Sequence, residues 1–77
     1  MSKNRAAQAE EIKSLVDNAT GPISLAEAAN ILGYGSSRAV AARIAAAWWY
    51  YDSIGDRATQ ATIARTFIDR RERFPWA

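Results

Sequence analysis

The side chains best suited to binding chemistry lie in the middle of the chain, where two arginines stand in a segment without acids. Residues 28–51 contain Arg38 and Arg43 and no aspartate or glutamate. A guanidinium group binds phosphates and base edges through paired hydrogen bonds. The middle of the chain is therefore apolar and locally positive.

Catalysis is the least expected class of function. The chain has no histidine and no cysteine, so it lacks the commonest general base, the commonest metal ligand and any thiol. Lys3 and Lys13 are its only lysines, and both lie near the amino terminus. The carboxylates show neither a calcium-loop spacing nor a pairing suited to acid–base chemistry. We therefore predict a non-enzymatic protein without a metal or cofactor.

Length and composition predict one small domain. The chain has 77 residues and a formal net charge of +2, a mild excess that is consistent with nucleic-acid contact. No run approaches the roughly 18 apolar residues that cross a bilayer. The first residues, MSKNRAAQAEEIK, lack the apolar core of a signal peptide. We expect a cytoplasmic protein without a membrane partner.

The spacing of apolar residues predicts an all-α domain and no strand. Four helices are expected, at about residues 4–17, 24–32, 37–52 and 57–73. Ser24 and Glu27 have the spacing of a capping box, and Asp56 is a candidate N-cap for the last helix. That helix is expected to end before Pro75. Its inner face is expected to contain Ile63, Ala64, Phe67, Ile68 and Phe74.

The segment from Ile23 to Ile44 has the parts of a helix-turn-helix: a short capped helix, a glycine-containing turn and a longer helix. Leu32-Gly33-Tyr34, Ser36, Val40 and Ile44 fit the pattern L-G-[YF]-x-S followed by two apolar residues four apart. In these 22 positions the chain resembles the helix-turn-helix of the arabinose-regulator (AraC-type) family. That family usually has phenylalanine at the last two positions and serine at the position of Arg38.

The resemblance implies that the helix beginning near Ser37 is a recognition helix for duplex DNA. Arg38 would bind guanine through two hydrogen bonds, and Arg43 and Ser36 would hold phosphates. The residues expected near DNA are Gly35, Ser36, Ser37, Arg38, Ala41, Ala42 and Arg43. A different interpretation remains open, in which the glycines only join two helices, Ser37 only caps the second and the arginines are solvated. The outer alanines offer few donors to base edges, which weighs against DNA binding.

Residues 48–51 are four consecutive aromatics, Trp-Trp-Tyr-Tyr. Successive helical positions are about 100° apart, so one packed face cannot bury all four. Trp48 and Tyr51 continue an apolar stripe and are predicted to be core. Trp49 and Tyr50 have three alternatives: burial against another helix, a homodimer interface, or stacking on nucleic-acid bases. We expect a homodimer with Trp49 or Tyr50 in its interface.

The carboxyl-terminal segment RTFIDRRERFPWA combines arginines with aromatic residues, a composition that suits phosphate contact and protein interfaces alike. A predicted partner surface comprises Trp49, Tyr50, Arg70, Arg71, Arg73 and Trp76. Two functional hypotheses follow. The first is a small DNA-binding transcriptional regulator of helix-turn-helix type. The alternative is a protein-interaction module or inhibitor of phage or plasmid type, which binds a host protein through these aromatic and arginine residues.

Overall fold

The computed structural model describes residues 4–68 and 74–76. Within them the chain forms four helices and no strand. The helices are α1 (Arg5–Asp17), α2 (Leu25–Leu32), α3 (Ser37–Ser53) and α4 (Arg57–Thr66). The predicted all-α fold is confirmed, and the first three helices begin and end within one residue of their predicted limits.

Each helix begins at a polar side chain that accepts a hydrogen bond from the amide three residues later. Asn4 caps α1, Ser24 caps α2, Ser36 caps α3 and Asp56 caps α4. Such caps satisfy amide groups that have no partner within the helix. The Thr59 hydroxyl and amide both donate to the Asp56 carboxylate, and these bonds lower the pKa of Asp56 below its usual value. The side chain that caps α3 belongs to Ser36. The second interpretation of the turn had expected Ser37, one residue later, to be the cap.

The turn between α2 and α3 depends on Gly33. Its φ of 78° and ψ of 26° lie in the left-handed region, which glycine adopts without steric cost. The amides of Gly33 and Tyr34 both donate to the carbonyl of Ala29, so the open carboxyl end of α2 is closed there. Gly33 thus fixes the direction in which the chain enters α3.

Replacing Gly33 with alanine is expected to lower the free energy of unfolding by about 1–2 kcal/mol, the cost of a left-handed L-residue. Gly35 is the matched control, because its φ is not positive and a Cβ there meets no atom within 4 Å. Gly35→Ala should be neutral or raise stability by up to about 1 kcal/mol by restricting the unfolded chain. Urea denaturation of both variants measures the difference, and equal effects would contradict this account of the turn.

The core is built around α3, which packs against each of the other three helices. Its buried residues are Val40, Ala41, Ile44, Ala47 and Tyr51. Tyr51 is core as predicted, whereas Trp48, predicted to be core as well, is only partly buried. The largest fully buried side chains are Phe67, Ile12, Ile44, Ile63 and Val40. They come from α1, α3, α4 and the segment after α4, and α2 adds the buried Leu25, Ala28 and Ala29, so all four helices contribute to the core.

The predicted extent of the last helix is wrong. α4 ends at Thr66, and Phe67 has the extended backbone angles φ −114° and ψ 101°. The predicted helix to Arg73 is therefore contradicted at Phe67 and Ile68, and residues 69–73 lie outside the described part. Ile68 is 63% exposed, so its predicted place on the inner face is wrong as well.

The early end of α4 has a physical cause in two long-range hydrogen bonds. The carbonyl of Thr66 accepts from the amide of Ile23 at 3.0 Å. The carbonyl of Phe67 accepts from the Trp76 indole Nε1 at 3.1 Å. In a continuing helix these carbonyls would accept from amides four residues later. With these distant partners the chain leaves the helix at Phe67, which is fully buried.

Candidate nucleic-acid interface

The start of α3 is open to solvent. Ser36, Ser37, Arg38 and Ala42 are all exposed, and Arg43 is half-buried. Gly35 is exposed as well, so the structure places five of the seven residues expected near DNA on the surface and Arg43 at its edge. Ala41 is only 5% exposed and packs in the core. The expectation that it approaches DNA is therefore wrong.

Apart from Ser37 in the first turn, the exposed positions of α3 follow one stripe along the helix, which we call the outer face. It comprises Arg38, Ala39, Ala42, Ala46, Trp49 and Ser53. Arg38 and Trp49 lie about 16 Å apart along the helix axis, with only alanines exposed between them. Arg43 is about 140° around the helix from Arg38. The two arginines consequently border opposite edges of a strip of small side chains.

The amino-terminal turn of α3 carries no acidic residue. Amides in the first turn of a helix lack partners within the helix, and the helix dipole makes that end favourable for anions. The Ser36 Oγ accepts a hydrogen bond from the Ala39 amide at 3.1 Å, which leaves its hydroxyl hydrogen free to donate. This turn therefore presents a guanidinium, hydroxyl groups and a favourable dipole in one place.

The ion pairs between described residues leave these arginines unneutralised. Lys13 pairs with Asp17 on α1, and Arg57 pairs with Asp52 where α3 meets α4. The hydrogen bond and charge of Asp17 raise the pKa of Lys13. Neither pair involves Arg38 or Arg43, so the positive charge of α3 remains available to a partner.

Arg5 lies beside this surface, and sequence reasoning did not single it out. Arg5, Gln8 and Ala9 of α1 line a shallow depression together with Arg43, Ala46 and Ala47 of α3. Arg5 and Arg43 are far apart in sequence, so no local spacing pattern links them. Only the packing of α1 on α3 brings their side chains to the same depression.

The four aromatic residues at positions 48–51 differ in burial, and the sequence alone had left the burial of Trp49 and Tyr50 open. Tyr51 is 4% exposed and Trp49 is 52% exposed, whereas Trp48 and Tyr50 are partly buried against the core. Trp48 meets the Trp49 ring edge-on, with centroids 4.9 Å apart. The Tyr51 hydroxyl is buried without a hydrogen-bond partner among the described residues, and burial raises its pKa. Trp49 is therefore the aromatic side chain of the run that remains available to a partner.

Trp76 packs against its own chain. Its ring stacks on Phe74 with centroids 4.5 Å apart and lies 5.9 Å from the ring of Trp48. Its indole also donates to the Phe67 carbonyl. These contacts give Trp76 a structural role that the proposal of a partner surface did not include. Arg70, Arg71 and Arg73, the other carboxyl-terminal members of that surface, lie outside the described residues.

A second concave surface lies between the end of α1, the following loop and α2. It encloses about 410 Å³, and Ile31 at its edge is 55% exposed. Its lining comprises Leu15, Asn18, Ala19, Thr20, Gly21, Pro22, Ile23, Glu27 and Ile31. This groove is lined by polar as well as apolar side chains and includes the acidic Glu27, so its chemistry differs from that of an anion site.

None of the helices in the described ranges has both the length and the apolar character needed to cross a membrane. Comparisons with known protein families, with curated proteins and with solved structures found no match to this chain. The functional argument therefore depends on the chemistry of the surfaces described above.

Proposed function

We propose that this chain is a small DNA-binding domain, a cytoplasmic transcriptional regulator of helix-turn-helix type, in which the first half of α3 enters the major groove. The observation that supports the proposal is the exposed, acid-free first turn of α3, with Ser36, Ser37 and Arg38 on it. An α-helix fits the width of the major groove, and the four-residue turn before α3 joins it to α2.

The side chains of α3 have distinct roles in this proposal. Arg38 donates two hydrogen bonds to guanine O6 and N7. The Ser36 and Ser37 hydroxyls and the first amides of α3 hold a backbone phosphate. Ala42 is short, so the helix can approach the base edges closely, and its methyl group can contact a thymine methyl. Arg43 binds a phosphate at the edge of the groove.

Salt-dependent binding to duplex DNA tests the proposal. We expect retardation of a mixed-sequence duplex at low salt, with an affinity that falls linearly with salt on a double-logarithmic scale. Each phosphate contact should contribute a slope of about −0.9. If no duplex is retarded at low salt, the chain is not a DNA-binding protein.

Trp49 supports a second candidate, the protein-interaction module or inhibitor that binds a host protein. A tryptophan that is 52% exposed is typical of an interface anchor, and the exposed Ile31 at the groove between α1 and α2 offers a second contact area. A homodimer through Trp49 is compatible with either function, because a twofold axis would present α3 to two DNA half-sites.

We expect sedimentation equilibrium to show a dimer of the wild type at about 100 µM, a concentration at which a micromolar complex is largely formed. Trp49→Ala should be monomeric under the same conditions, because it removes the largest exposed apolar group of α3. Ile54→Ala is the control, since Ile54 is 57% exposed and follows α3. A wild type that remains monomeric would rule out the homodimer.

A further inference from the structure

The depression between α1 and α3 brings two arginines together without a carboxylate. Arg5 and Arg43 both line it, and neither takes part in the ion pairs seen between described residues. Two guanidinium groups on one concave surface repel each other unless an anion lies between them. Gln8 adds a neutral amide to the same lining. Every polar side chain of the depression can thus donate hydrogen bonds.

The size of the depression limits what can bind. Its free volume is about 20 Å³, which accommodates one water-sized group. A single phosphate oxygen has that size, whereas a nucleotide base or a sugar does not fit. Ala9, Ala46 and Ala47 form the rest of the lining, so small side chains leave the oxygen within reach of both arginines. The arrangement suits one anionic oxygen that is attached to a larger molecule.

We propose that Arg5 and Arg43, with Gln8, form a single binding site for a phosphodiester of the nucleic-acid backbone. This inference rests on the proposed function and extends the DNA-binding surface from α3 to α1. Arg43 lies about 140° around α3 from Arg38. When Arg38 faces the bases, Arg5 and Arg43 therefore face the sugar–phosphate chain that borders the major groove. The contact orients the domain on duplex DNA and carries no sequence preference.

The test measures the salt dependence of duplex binding by Arg5→Gln, Arg43→Gln and the double variant. The double variant should lower the slope by about 0.9 in total, the value for one phosphate, and weaken binding about eightfold at 0.1 M salt. Because the two arginines share one phosphate, neither single variant should lower the slope by more than the double variant does. Arg65→Gln is the control, since Arg65 is exposed on α4 and should leave the slope unchanged.

Arg43 is half-buried, so its replacement by glutamine requires a check of folding. Arg43→Lys keeps the positive charge and should retain the wild-type slope, and thermal unfolding by circular dichroism should show that all variants are folded. A double variant with the wild-type slope would overturn the proposal. A loss of about 1.8 in slope, the value for two phosphates, would overturn the shared site, because the arginines would then bind separate groups.

Other sources of phosphate are distinguished in parallel. Inorganic phosphate at fixed ionic strength should not displace the duplex, and vesicles of anionic phospholipid should not bind the wild type. Binding of either that depends on Arg5 and Arg43 would overturn the assignment to nucleic acid. If the wild type fails to bind any duplex, the proposed function itself fails. If the wild type binds and Arg38→Ala weakens it, while the Arg5/Arg43 double variant behaves as wild type, the second site and the phosphate contact of Arg43 are wrong, and DNA binding through Arg38 stands.

Discussion

Replacement of Phe67 by alanine is expected to lower the free energy of unfolding by about 3–5 kcal/mol. The Phe67 side chain is fully buried, and it is the largest of the side chains with no exposure. Its removal loses the transfer free energy of the ring and leaves a cavity that the surrounding helices fill only in part. The loss is a large fraction of the total stability that a small domain possesses.

Ile68→Ala provides the matched control. Ile68 is the next residue in the chain but is 63% exposed, and exposed substitutions usually change stability by less than about 0.5 kcal/mol. Urea denaturation followed by circular dichroism compares the two variants. Similar losses at both positions, or a larger loss at Ile68, would contradict the extended backbone at Phe67. The predicted helix through this segment placed both side chains on its inner face.

Replacement of Arg38 by alanine is expected to weaken binding to the preferred duplex by about 1–3 kcal/mol, the usual value of a bidentate arginine–guanine contact. It should also abolish the preference at one base pair, because no other charged side chain lies on the outer face of α3. Selection of binding sites from a random duplex pool identifies the preferred sequence. Fluorescence anisotropy on that sequence and on its single-base variants then measures both effects.

Arg65→Ala removes the same charge from α4. The Arg65 guanidinium is exposed and bonds to the Thr62 hydroxyl within its own helix, so its loss should leave affinity and sequence preference nearly unchanged. An equal weakening of all duplexes by Arg38→Ala, with a salt slope lower by about 1, is instead the behaviour of a phosphate contact. That result would remove Arg38 from base recognition.

Local signals made the helices predictable. Ser24 stands three residues before Glu27, and the structure shows the expected bond from the Glu27 amide to the Ser24 hydroxyl at 3.1 Å. Asp56 likewise caps α4. These signals are informative because the capping side chain and the amide that it binds are only three residues apart. Both partners can therefore be identified in one short stretch of sequence. The buried stripe of α3 was predictable because its apolar residues recur every three or four positions, which is also a local pattern.

The end of α4 could not be predicted in this way. The carbonyl of Thr66, its last residue, accepts a hydrogen bond from Ile23, which precedes α2, and local periodicity contains no information about this bond. The apolar spacing of Phe67 and Ile68 instead favoured a continuing helix. The site beside Arg43 was missed for a related reason. Arg5 has no distinguishing neighbours in sequence, and only the packing of α1 against α3 gives it a role.

The hydrogen bond between the Ile23 amide and the Thr66 carbonyl has a consequence for protein engineering. It joins the residue just before α2 to the last residue of α4, and it does so next to the fully buried Phe67. A fragment containing α2 and α3 alone would lose this bond together with the apolar cover from α1 and α4. The pair is therefore not a portable module that can be grafted onto another scaffold. The smallest unit that retains the outer face of α3 in this geometry includes the segment after α4.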